Sequence, residues 1–124
     1  MITLIDTSAW IEALRKKGNQ QIRKQVASAL ESGEARTSEM IMLELWNGAR
    51  GKAELAMLKD IENTIPTLSC TTQVFELANQ IARSCRSKGL TVPATDILIF
   101  SVAQAYEAAL LANDSDFDRI QQLL

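Results

Sequence analysis

Four acidic residues carry the chemistry this sequence offers, Asp6, Glu44, Asp96 and Asp114, with Asp116 two residues beyond the last. The chain has 13 Lys and Arg, 15 Asp and Glu, and no histidine. Without imidazole there is no Ser-His-Asp triad, no Cys-His pair and no histidine metal ligand. Cys70 and Cys85 are the only thiols and do not form a close pair in sequence, which excludes zinc by the usual Cys/His routes. A metal here must be held by oxygen, which points to magnesium, manganese or calcium. Carboxylates gathered within a few ångströms cannot all stay ionised unless cations neutralise them. A hard divalent cation lowers the pKa of bound water, and two such ions about 4 Å apart clamp the attacking and leaving oxygens of a phosphodiester. The chemistry implied is metal-assisted hydrolysis of a phosphate ester.

Taken singly, each acid has a plainer explanation. An aspartate after a strand, such as Asp6 or Asp114, is commonly a turn residue or a helix cap. Glu44 has Met40, Ile41, Leu45 and Gly48 as its helical neighbours. It is either a solvated residue at the edge of that stripe or a carboxylate whose burial something positive must offset. Asp96 heads the stripe Ile99, Phe100, Ala103, where a first-turn acid is favoured by the helix dipole. Their common placement, at strand ends or on inward helix faces of one small sheet, is what points to a shared site.

The elements that must position them alternate between strand and helix. Ile2–Ile5 reads as a buried strand ending at Asp6, followed by a helix from Thr7 or Ser8 through Lys17 that stops at Gly18-Asn19. A second helix runs from about Gln20 to Ser32, and an extended piece at Ala35–Thr37 leads to Ser38. Ser38 caps a helix to about Asn47, and another spans roughly Ala53 to Glu62. Thr64–Cys70, broken by Pro66, reads as a strand or extended edge. Thr72–Lys88 is a long amphipathic helix closed by Gly89, and a helix from Ala94 to Ala108 follows. Propensity alone would also allow a strand at Ile97–Val102, but the spacing of Ile99, Phe100 and Ala103 favours the helix. Ala109–Ala112 is a short buried strand, and Asp116–Leu123 a final helix. Strands that are apolar throughout indicate a parallel sheet with helices on both faces, a three-layer α/β/α sandwich. Ligands bind such sheets beyond the carboxyl ends of the strands, where Asp6 and Asp114 fall.

The residues at these places resemble the PIN domain and, within it, the VapC-type toxins of bacterial and archaeal toxin–antitoxin pairs. The matching pieces are Ile5-Asp6-Thr7-Ser8, then Glu44 through Arg50, then Val92 through Ile99, and finally Leu111 through Phe117. They occur in the family's order and cover nearly the whole chain. The resemblance implies an α/β/α sandwich whose acids bind Mg2+ or Mn2+ and cleave RNA, often transfer or ribosomal RNA. Asp6, Glu44, Asp96 and Asp114 carry over as metal ligands, Asp116 joins them directly or through water, and Thr7 or Ser8 shapes the site. It further implies a homodimer silenced by a cognate antitoxin whose tail occupies the active-site groove. Two departures stand out. Ala112 replaces the Thr or Ser that the family commonly places two residues before the fourth acid, removing a hydroxyl beside the metal. Relatives also often add a closing strand after the position of Leu124.

RNA needs phosphate contacts, and the basic residues are bunched. Arg15-Lys16-Lys17, Arg23-Lys24, and Arg50 with Lys52 are expected along the rim of the acidic groove, with a solvated face as the alternative. Trp10 and Trp46 lie on amphipathic helices and are expected to pack there rather than stack on bases.

Composition sets the outer limits. A chain of 124 residues, 47% apolar and with a formal charge of −2, reads as one domain over residues 1–124, without repeats, linkers or low-complexity segments. That charge excludes a basic nucleic-acid-coating protein, and 5% aromatic residues argue against a base-stacking platform. No basic leader and no long apolar run is present, so the expected location is the cytoplasm, away from membranes. A phospho-acceptor receiver module wants a pair of acids after its first strand, where this chain has only Asp6 followed by Thr7-Ser8. A PIN-like fold that has lost catalysis and serves as an RNA- or protein-binding module is the other alternative, and Ala112 is the feature that favours it.

Overall fold

The computed structural model describes residues 1–124. The elements run β1 (Thr3–Ile5), α1 (Thr7–Leu14), α2 (Gln20–Glu31), β2 (Ala35–Arg36), α3 (Glu39–Gly48), α4 (Gly51–Thr64), α5 (Thr72–Ser87), α6 (Ala94–Ala105), β3 (Ala109–Leu111) and α7 (Asp116–Leu123). The sheet is parallel with strand order β2-β1-β3. The apolar N-terminal run is its middle strand, and Leu4 and Ile5 are fully buried because helices cover the sheet. Helix α2 lies against β2 and β3, and α6 lies against β3 with α5 and α7 packed onto it. One cluster of 25 buried apolar residues joins these elements.

Helix α6 is apolar on nearly every side, which is why its sequence also suggests a strand. Ile97, Ile99, Phe100, Val102 and Ala103 are all buried, and the buried Ser101 hydroxyl donates to the Ile97 carbonyl at 2.7 Å. That bond satisfies its polar group inside the helix.

Several boundaries depart from the sequence expectation. Helix α1 ends at Leu14 rather than Lys17. The chain turns back so that Gly18 sits on the Glu12 carbonyl, where a Cβ would come within 1.8 Å of the oxygen. A helix continued to Lys17 could not make that return. Helix α6 ends at Ala105 rather than Ala108 because the chain closes there in a Schellman turn. Ala108 N–H donates to Ala103 O at 2.9 Å and Glu107 N–H to Gln104 O at 3.2 Å, with Glu107 at φ 54°. Helix α5 ends in the same turn, with Gly89 at φ 73° in the equivalent place, and there the glycine announces the stop. Finally, Thr64–Cys70 forms no full strand. The last turn of α4 takes its first residue, and a single parallel bridge joins Thr37 to Thr67. Pro66 lacks the N–H that a longer ladder would need. Helix α4 is also longer at both ends than the expected 53–62.

Candidate active site

The carboxyl ends of β1 and β3 lie side by side, since Ile5 pairs with Leu111. This register brings Asp6 and the Asn113-Asp114 turn to one edge of the sheet. Asp6 caps α1 by accepting the Ser8 N–H at 3.0 Å, and it is only 4% exposed. The plain reading of Asp6 as a helix cap is therefore correct, and the same residue sits at the strand end. The Ser8 hydroxyl donates to Asp6 Oδ2 at 2.6 Å and accepts the Asn113 N–H at 2.8 Å. Thr7 Oγ1 donates to Glu44 Oε1 at 2.8 Å, which turns the α3 carboxylate toward β1.

Asp96, Asp114 and Asp116 form the tightest group. One carboxylate oxygen from each lies within 4.8 Å of the others. Asp96 comes from the first turn of α6, and Asp116 opens α7. The Asp116 N–H donates to Asp114 Oδ1 at 2.9 Å, fixing the turn between the two acids. Asp6 and Glu44 stand outside this group of three, held by Ser8 and Thr7, yet near enough to be felt electrostatically.

Titration behaviour follows from this crowding. Asp96 is pushed up to about 7, first by burial, then by its hydrogen bond with Asp116, then by the charges of Asp114, Asp6 and Asp116. Burial also raises Asp6, against the hydrogen bonds from Ser8 and Thr7, with the Asp114 charge adding to the rise. Glu44 rises chiefly through burial, opposed by the Thr7 hydroxyl and reinforced by the charges of Asp6 and Asp114. The one ion pair reaching these acids is Arg119 Nη1 to Asp116 Oδ1 at 3.1 Å. Arg119 is absent from the residues that the sequence points to. Its signal was the i, i+3 spacing from Asp116 on a helix, which is too common on helix surfaces to stand out.

The donor set fits a hard divalent cation. All the available ligand atoms are carboxylate or hydroxyl oxygens, one half-exposed guanidinium is the sole protein cation in contact, and the most crowded carboxyl holds its proton to about pH 7. Added positive charge would relieve the repulsion that produces that shift.

Next to Glu44 a groove of about 550 Å³ opens between α1, α3 and α4, lined by Thr7, Arg15, Glu44 and Arg50 among others. Of the expected basic rim, only Arg15 and Arg50 reach it. Arg23 turns away and donates to the carbonyls of Glu12 and Arg15. Trp10 is buried in the core, and Trp46 ties α3 to α4 through Nε1 to Glu62 Oε2 at 2.8 Å. Ala112, the departure noted above, lies beside Asp114 in the wall of a cavity under α6 and α7.

Comparisons with known proteins agree with this architecture. The PIN domain family model matches residues 3–123. VapC ribonuclease Mb1587 of Mycobacterium bovis and ribonuclease VapC11 of Mycobacterium tuberculosis are each 31% identical to the chain over 125 residues, covering 97% of it and 92% of the relative. The structure of VapBC2 from Rickettsia felis bound to a promoter DNA fragment gives a TM-score of 0.80 at 22% identity, over 100% of this chain and 96% of that one. VapC20 of Mycobacterium tuberculosis, described as a sarcin-ricin loop cleaving toxin, gives 0.73 at 21% identity, over 94% and 93%. The structural likenesses speak for the fold, and the sequence relatives for the family. The chain belongs to the PIN-domain family and, within it, to the VapC-type ribonuclease toxins of toxin–antitoxin systems.

Proposed function

We propose that Asp6, Glu44, Asp96 and Asp114, with Asp116, form a metal-dependent endoribonuclease centre that hydrolyses RNA phosphodiester bonds. The observation that carries this reading is the gathering of Asp96, Asp114 and Asp116 within 4.8 Å, with Asp6 and Glu44 close enough that their charges act on the group. When bound, Mg2+ or Mn2+ would supply neutralisation of these charges and activation of water toward the phosphate. The chain's own groups supply orientation. Ser8 holds Asp6, Thr7 holds Glu44, and Arg119 holds Asp116. Arg15 and Arg50, exposed on the adjoining groove, contact the RNA backbone. The Ser8 hydroxyl bonded to the Asn113 N–H steadies the turn in which Ala112 supplies no hydroxyl.

In this reading residues 1–124 act as one catalytic unit in the cytoplasm, held in check by a cognate antitoxin. No helix is long and apolar enough to cross a membrane. The test is cleavage of total cellular RNA by the purified, antitoxin-free chain. Cutting that requires Mg2+ or Mn2+ and stops with EDTA supports the reading. Equal cutting with EDTA would refute it.

A further inference from the structure

The acidic centre adjoins two cavities that differ in charge, one holding Asp114 and the other Glu44. On the α6–α7 side the cavity of about 350 Å³ carries Asp114 and Asp118 and no cationic side chain. On the other side is the groove between α1, α3 and α4, of about 550 Å³, with Arg15 and Arg50 at its rim. A volume of this size is within the range of small-ligand pockets, about 300–1,000 Å³. An RNA strand crossing the centre meets two carboxylates with no cation beside them on the first side, and on the second two guanidinium groups that offset the groove's own Glu44 and Glu54. The nucleotide next to the reacting phosphate therefore belongs in the α1–α3–α4 groove. Its walls suit a base rather than more backbone, because Ile11 and Leu14 present apolar surface for the faces of a ring.

Glu54, from the first turn of α4, adds a chemical preference to this groove. Its Oε2 accepts the Arg50 N–H at 3.1 Å, which pins the carboxylate to the wall with acceptor capacity left over. A carboxylate has no donor. The complementary base edge is one with two adjacent donors, and guanine alone offers that, through its N1–H and N2 amino group. Uracil places carbonyls on both sides of its single N–H, and adenine and cytosine place an unprotonated ring nitrogen beside the amino group. Those guanine donors are free only when the base is unpaired.

We infer that the groove is a base subsite and that Glu54 selects an unpaired guanine there. The inference rests on the nuclease reading above. The Glu44 carboxylate, also in the groove wall, is engaged by Thr7 and belongs to the acidic centre.

The experiment uses the full chain with Mg2+ and unpaired RNA oligonucleotides randomised over a window, with cut sites mapped by sequencing. The expected result is guanine enriched at one fixed position relative to the cut. Two matched oligonucleotides then carry guanine or inosine at that position, inosine lacking only the N2 amino group. The guanine form should be cut about tenfold faster. With Glu54→Gln, which keeps an acceptor for the Arg50 N–H, the ratio should collapse toward one. A ratio of rates is independent of any change in overall activity, and the inosine arm needs no variant at all. Annealing a complementary strand should abolish cutting. Metal-dependent cutting that is blind to guanine, or a guanine preference that neither inosine nor Glu54→Gln alters, overturns the base subsite and leaves the nuclease reading standing. Failure of the parent chain to cut any RNA overturns both.

Discussion

Ser8 and Asn113, 105 positions apart in the chain, are joined by a 2.8 Å hydrogen bond from the Asn113 N–H to the Ser8 hydroxyl, and that hydroxyl donates to Asp6 Oδ2 at 2.6 Å. One side chain thus sets the spacing between the acid at the end of β1 and the turn that carries Asp114. Ser8→Ala removes the tie and leaves the Asn113 N–H without its partner. Loss of groups that orient metal ligands costs about 10–100-fold in metal affinity or activity. Calorimetric titration with Mn2+ and single-turnover cleavage should both show a drop in that range for Ser8→Ala and recovery in Ser8→Thr. An unchanged Mn2+ affinity in Ser8→Ala would mean that the turn is held by other contacts.

Stability should depend on pH and metal together. The Asp96 carboxyl, near 3.8 when unperturbed, is pushed up to about 7 in the folded chain, and Asp6 and Glu44 shift in the same direction. Between about pH 4 and 7 the metal-free folded state therefore binds more protons than the unfolded chain, so its stability falls as pH rises through this window. Thermal melts of the metal-free protein should give a higher Tm at pH 5 than at pH 7.5. Saturating Mg2+ should raise the Tm at pH 7.5, and Asp96→Asn should raise it without metal.

Arg15 and Arg50 are tested by salt. Each phosphate contact on a single strand contributes about 0.7 to the slope of log affinity against log salt. Binding of single-stranded RNA by the metal-free chain should lose about that much slope in Arg15→Ala and again in Arg50→Ala. Slopes equal to the parent's would remove both residues from the RNA path.

Glu107 holds a left-handed conformation, φ 54°, at the end of α6. A non-glycine residue there costs roughly 1–2 kcal/mol, part of which glycine gives back through the entropy of the unfolded chain. Glu107→Gly should raise the free energy of unfolding by about 0.5–1 kcal/mol in urea titrations, with no change in RNA cleavage.

What the sequence made legible divides along physical lines. The apolar strands Ile2–Ile5 and Ala109–Ala112 and the periodic helices are patterned by burial, and burial leaves a record in residue type. So does a glycine stop such as Gly89, whereas Glu107 makes the same turn with no such mark. Pro66 hinted that the segment before α5 would not pair fully, but the single Thr37–Thr67 bridge is a matter of tertiary geometry. At the site, Asp6 and Asp114 could be singled out because each follows an apolar strand, and Glu44 and Asp96 because each lies on an apolar helical stripe. Asp116, expected to join the ligands directly or through water, stands within the tightest group of three. Arg119, Glu54 and the division of labour between Thr7 and Ser8 depend on which side chains meet across elements, and no spacing in the chain encodes that.

The central claim is that the converging carboxylates are the nuclease centre. It is tested most directly by RNA cleavage in Mg2+ by the parent chain beside Asp96→Asn and Asp6→Asn, each first shown by circular dichroism to be folded. The parent should cut only with metal and both variants should lose at least about a hundredfold, on the scale of removing a group that stabilises the transition state. Cutting by the folded variants at the parent's rate would contradict it.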